Sequence, residues 1–251
     1  MNTRIAAACI AALLGAVSIA QAADPQGWQV EITPCAWIAG IEGTVTVGGQ
    51  ETDFDKSAGD LFDYVQFAGG VIGTVQYERW VCRTQFDYFG LSTDALDVKD
   101  RPEGGEMESD MFLTEIGAGY QIDGWMEGQT YDLLLTLRYL RAENDLVVYG
   151  DPTDYSKTSD IVDPMFAMRA GIPIFPSKIQ GLRLNLLAAI GGGGDSKLVY
   201  EMQPQIQYRF LRNVAARLGY RRVAWQLDSD KNDDEMDFTL AGLNLGIGVT
   251  F

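Results

Sequence analysis

Most of the chain alternates. From about residue 28 onward, apolar and polar side chains change places at every second position, the period of a strand whose two faces meet different surroundings. Ten such segments are read at 28–39, 65–78, 81–92, 111–122, 131–143, 159–173, 182–192, 197–210, 214–228 and 237–251. Residues 41–55 predict an additional short hairpin that turns at Gly48-Gly49. Its entry into the wall would raise the count to twelve. Helical spacing is suggested only around Ser57–Tyr64.

The connections alternate in length as well. Those at Arg79-Trp80, Asp123–Gln129, Pro176–Gln180 and Leu211–Asn213 are short, and that at 191–196 is a glycine run. Those at 40–64, 93–110, 144–158 and 229–236 are longer and polar. This layout predicts an all-β fold: a membrane-spanning, antiparallel, up-and-down β-barrel of about ten strands, with twelve as the alternative. Its short turns would be periplasmic and its long acidic loops extracellular.

The two faces can be told apart. One is apolar, as in Tyr131, Leu133, Leu135, Leu137 and Tyr139, in Leu182, Leu184, Leu186, Ala188 and Ile190, and in Ala241, Leu243, Leu245, Ile247, Val249 and Phe251. Aromatics gather near the segment ends: Trp28, Trp80, Trp125, Phe175 and Phe210 by the short turns, Tyr88 and Trp225 towards the other side. These predict two aromatic belts in lipid. The opposite face carries Glu31, Glu78, Asp87, Glu115, Asp132, Asp163 and Glu201 against Arg83, Arg138, Arg169, Arg183, Arg209, Arg217 and Arg221. Its formal charge is close to zero. All six lysines (Lys56, Lys99, Lys157, Lys178, Lys197, Lys231) fall in loops, turns or segment edges. Arginine suits confined, multiply bonded ion pairs, so this face reads as an enclosed lumen filled by an ion-pair network, together with Gln66, Gln85, Gln203, Gln205, Gln207 and Asn244. Pro164, Pro173 and Pro204 interrupt ladders. At Arg221-Arg222 the alternation breaks, and a β-bulge there would turn Val223 and Trp225 outward.

The ends of the chain carry a location. Arg4, the 16-residue apolar run Ile5–Ala20 and the small-x-small site Ala20-Gln21-Ala22 read as a cleaved secretory signal, residues 1–22. The barrel domain is then 23–251, and the location expected for it is the cell outer membrane. Phe251, closing an apolar alternation, reads as an insertion signal. Cys35 falls on the lumen face and Cys82 on the lipid face, so a disulfide between them is not expected.

The opening ITPCAWIAGIEGTVTVGG, with Thr33, Pro34, Trp37, Gly40, Gly43 and Thr44, looks like the first strand and hairpin of an uncharacterised group of barrels. The acidic Ser57-Ala58-Gly59-Asp60-Leu61-Phe62-Asp63 looks like the short helix that follows in that group. The whole mature chain resembles the small outer-membrane β-barrel proteins of Gram-negative bacteria, in the porin-like and opacity-protein class. The resemblance implies a barrel in the outer membrane. It brings no activity and no catalytic residue.

Composition narrows the chemistry. The net charge of −16 disfavours nucleic acid as a partner. There is no histidine, which removes Ser-His-Asp hydrolysis and histidine acid/base work. Glu115, Asp132 or Asp163 could act as carboxylates alone, but matched arginines make structural pairs the better reading, so no enzyme is expected. The segments 51–63, 94–110, 143–160 and 228–237 together hold 23 acids and 5 bases. Asp228, Asp230, Asn232, Asp233 and Asp234 would support at most a weak Ca²⁺ or Mg²⁺ site, bridging to lipid phosphates. No other cofactor is expected. The expected partners are outer-membrane lipid and lipopolysaccharide, with periplasmic chaperones and the insertion machinery during biogenesis. The expected role is structural or surface-interactive, around an occluded lumen. The alternative is a narrow porin-like channel for small or apolar solutes.

Overall fold

The computed structural model describes residues 27–47, 50–56, 65–98, 101–148, 154–229 and 234–251. They form one antiparallel sheet: β1 (Trp28–Val47), β2 (Gln50–Lys56), β3 (Val65–Tyr77), β4 (Trp80–Val98), β5 (Arg101–Asp123), β6 (Thr130–Val148), β7 (Asp154–Pro173), β8 (Leu182–Gly191), β9 (Ser196–Arg209), β10 (Val214–Ser229) and β11 (Asp234–Thr250). β1 pairs with β3 on one side and β11 on the other, closing a barrel of ten strands. β2 pairs with the far end of β1, Ile41–Val47. It lengthens one stem and adds no wall strand, so the twelve-strand alternative is not adopted. The residues read as a helix, 57–64, and the signal segment lie outside the described residues, as does the Gly48-Gly49 turn.

The ladder register fixes the shape. Stepping from Gly40 through Ala241, Arg222, Met202, Ala188, Met168, Leu133, Tyr120, Trp80 and Tyr77 leads back to β1 at Trp28, a shear of 12 residues. With ten strands, that shear tilts each strand by about 40° to the barrel axis.

The sequence read 93–110 and 144–158 as loops, yet β4 to β7 continue through much of them. β5 runs for 23 residues, where crossing a bilayer takes about 9–11. The sequence there lacks the period-two alternation that marks a strand, but the backbones keep the ladder paired. β8 is short at 10 residues. Its pairing with β7 ends at Gly191, opposite Met165 and just before Pro164, which has no N–H to offer. Pro173 marks the other end of that ladder, opposite Arg183.

Alternation decides inside from outside. In β6, Leu133, Leu135 and Leu137 are exposed, while Leu134, Thr136 and Arg138 are buried. Outward aromatics make one belt at the short-turn end, with Trp28 against Tyr77 at 4.7 Å and Trp80 against Tyr120 at 5.4 Å. Trp125, Phe175 and Phe210 are exposed there too. Tyr88, Phe112, Tyr139 and Tyr200 form the other belt. Tyr131 and Tyr139 of one strand stand about 20 Å apart along the axis at this tilt, close to the height of a lipid-facing apolar band.

One expected feature is overturned. No bulge occurs at Arg221-Arg222, because β10 stays in register with β11 from Val214 to Ser229. Val223 and Trp225 therefore point inward and are buried, while Arg222 is exposed on the outer face beside Met202. The alternation never broke: the far half of the lumen is itself apolar, and an arginine near an aromatic belt reaches the polar zone with its long side chain. Glu78, expected on the inner face, sits exposed in the β3–β4 turn at φ 52°. Cys35 is half-buried facing inward, Cys82 is exposed facing outward, and both are free.

Candidate functional site

The lumen is built in three layers along the axis. At its middle, β4, β5, β6, β9 and β10 contribute seven side chains that hydrogen-bond in a closed cycle. Arg83 donates to Glu115 at 3.1 Å. Arg138 donates to Glu115 at 2.5 Å and also to Glu201. Arg221 donates to Glu201 at 2.7 Å and to Asp87 at 2.5 Å. Gln85 donates to Asp87 at 2.9 Å and accepts from Arg83 at 2.5 Å, which shuts the cycle. Three guanidiniums thus face three carboxylates, and Arg138 is only 1% exposed. Desolvating so many charges is costly. The structure offsets the cost by giving each carboxylate bonds to two cationic or amide donors.

On the far side of this cycle from the short turns, the lumen is apolar. Trp37 and Phe89 meet edge to face at 5.2 Å, and Trp225 stacks on Phe238 at 4.7 Å. Leu113, Leu140, Val199, Val223 and Leu240 are buried around them. The sequence missed this layer. Its signal is present, as apolar residues at inward positions near the strand ends, but there the outer face is apolar as well and the two cannot be told apart by period.

Towards the short turns the lumen is polar and roomier. Arg169 donates to Asp132 at 2.6 Å, and Gln121 donates to the same carboxylate at 2.8 Å. Arg217 pairs with Glu31 and also donates to Gln207 at 3.1 Å. A cavity of about 330 Å³ lies between these groups.

The residues read from the sequence as one network therefore separate. Glu31, Arg83, Asp87, Glu115, Asp132, Arg138, Arg169, Glu201, Arg217 and Arg221 are ion-paired. Asp163 is not. It accepts from the backbone N–H of Ser196 at 2.9 Å and from its hydroxyl at 2.6 Å, tying β7 to the start of β9. Arg183 donates to the carbonyls of Gly128 and Gly171. Arg209 is exposed at the rim and makes no ion pair among the described residues. Of the cation loop, Asp230, Asn232 and Asp233 lie outside the described residues. Asp228 and Asp234 are placed by their backbones alone, opposite Glu235 and Ser229 in the β10–β11 stem.

No protein-family profile matches the sequence, and no curated protein does. Among solved structures the chain is similar to the outer membrane protease OmpT from Escherichia coli, at 8% identity and TM-score 0.46, covering 92% of this chain and 100% of that one. It is also similar to the translocator domain of the autotransporter NalP from Neisseria meningitidis, at 14% identity and TM-score 0.42, covering 99% and 97%. The attachment invasion locus protein Ail of Yersinia pestis matches at 12% identity and TM-score 0.35, covering 89% and 98%. The chain's own geometry is more telling. A closed ten-stranded antiparallel barrel, apolar outside between two aromatic belts and packed with ion pairs inside, has the build of a membrane-spanning β-barrel.

Proposed function

We propose that this protein is a non-enzymatic outer-membrane barrel with an occluded lumen and a structural or surface-interaction role. The closed cycle Arg83–Glu115–Arg138–Glu201–Arg221–Asp87–Gln85 carries the reading. A water-filled pore needs side chains that leave its axis, whereas these reach across it and neutralise one another. The apolar layer beyond adds a second barrier, since a charged solute would lose its hydration there. In this reading the short turns face the periplasm and the long acidic stems face outward. Catalysis finds no support in a chain without histidine, and Glu115, Asp132 and Asp163 are each engaged by structural donors.

The cavity favours a second reading, a narrow channel for small solutes. Planar-bilayer recording of refolded 23–251 separates the two. The occluded barrel gives no steady current, and the Arg138→Ala/Arg221→Ala double variant, checked for folding by its gel mobility before and after heating, gains one. A steady, salt-dependent conductance from the unaltered chain would reject occlusion.

A further inference from the structure

The cavity near the short turns differs in charge from the cycle beyond it. Five arginines line it (Arg83, Arg169, Arg183, Arg209 and Arg217) against two carboxylates, Glu31 and Asp132. Arg83 is matched by Glu115, Arg169 by Asp132 and Arg217 by Glu31. Arg183 and Arg209 are matched by no carboxylate among the described residues, so the cavity keeps two cations in excess.

Those two cations are positioned differently. Arg183 uses Nη2 alone, donating to the carbonyl of Gly128 at 3.0 Å, that of Gly171 at 3.2 Å and the Thr130 hydroxyl at 3.5 Å. Neutral carbonyls orient a guanidinium and leave its charge intact. Gly171 permits the approach, since a Cβ there would stand 2.7 Å from Nη2. Arg209 follows Gln207 by two residues on β9, and Gln207 is the cross-strand partner of Arg183. Both arginines therefore project from one side of the wall into the same space. Asn185, donating to Gln207 at 2.8 Å, adds an amide beside them. Arg209 and Gln29 are exposed at the rim, so the cavity is open to solvent at the short-turn end.

We propose that this vestibule is a binding site for a phosphate-type oxyanion, held by Arg183 and Arg209. Two uncompensated guanidiniums match a dianion, and their planar forks fit tetrahedral oxygens two at a time. The low-dielectric wall strengthens the attraction over that at an open surface. The phosphate can belong to a soluble ion or ester, or to a lipid headgroup at the membrane surface near the mouth. The site lies on the open side of the ion-pair cycle, so it goes beyond the occlusion reading and stands whether or not current crosses that cycle.

Refolded 23–251 in an amine-oxide detergent, titrated with inorganic phosphate and followed by phosphorus NMR line broadening, tests this. Saturable broadening, reversed by sulfate, is expected. Arg183→Gln and Arg209→Gln should each weaken it about tenfold, the loss of one charge-assisted contact. Arg212→Gln, in the exposed β9–β10 turn and outside the cavity's lining, should leave it unchanged. Gel mobility checks folding, and Arg209→Gln at the exposed rim keeps the test open where Arg183→Gln fails to fold. Displacement of phosphate by phosphatidylglycerol added to the micelles would assign the site to a lipid headgroup. Persistence in its presence would assign a soluble anion. Absent saturation, wild-type affinity in both cavity variants, or equal weakening by Arg212→Gln would each overturn the proposal.

Discussion

The guanidinium of Arg221 lies 4.2 Å above the ring of Trp37. This contact joins the ion-pair cycle to the apolar layer, because the same arginine also holds Asp87 and Glu201. A desolvated cation over an indole contributes about 2 kcal/mol. Trp37→Leu also opens space in a buried layer. Its expected cost is about 2–4 kcal/mol, read from urea unfolding in detergent micelles. A loss below about 0.5 kcal/mol would show that Trp37 is not packed between the layers.

Arg138 tests the charge balance of the cycle. Arg138→Leu leaves Glu115 and Glu201 sharing two arginines with Asp87, and breaking a buried pair costs about 3–5 kcal/mol. Adding Glu115→Gln restores the balance of two charges of each sign, so the double variant should recover at least half of the loss. Purely additive losses would mean that the pairs do not act together.

Neighbouring arginines separate the two faces. Arg221 is buried and Arg222 exposed. Arg221→Leu should destabilise the barrel by several kcal/mol, whereas Arg222→Leu, on the outer face near an aromatic belt, should change stability by no more than about 1 kcal/mol. Comparable losses for the two variants would restore the bulge that the register excludes.

Much of the wall was legible because lipid contact imposes a strict period of two. Leu133, Leu135 and Leu137 against Arg138 could be read without coordinates. The reading failed where both faces of a strand resemble each other. Val223 and Trp225 looked outward because the inner face also turns apolar there, and the stems of β4 to β7 looked like loops because their sequence does not alternate. Residue types in the lumen were readable, but their partners were not. Arg221 and Asp87 are 134 positions apart and Arg138 and Glu201 are 63 apart. Such pairings depend on how the shear brings non-adjacent strands together, which no local pattern encodes.

The two cysteines report strand phase chemically. An apolar maleimide should label Cys82, on the outer face of β4, in the folded barrel, and reach Cys35, on the inner face of β1, only after unfolding. Peptide mass spectrometry reads both sites. Equal labelling before unfolding would place one of the two strands in the wrong phase.

The apolar layer has a consequence for how the sheet closes. Trp37 comes from the first wall strand, Phe238 and Leu240 from the last, and Val223 and Trp225 from the strand beside it. The junction of the chain's two ends is therefore bolted from within. Parting β1 from β11 would strip these side chains of their neighbours and bring buried charges towards lipid. Sealing the circle and drying its interior are then a single cooperative event, and amide exchange along β1 and β11 should be as slow as along β6 and β7. Among the described residues the hoop is paired all the way round.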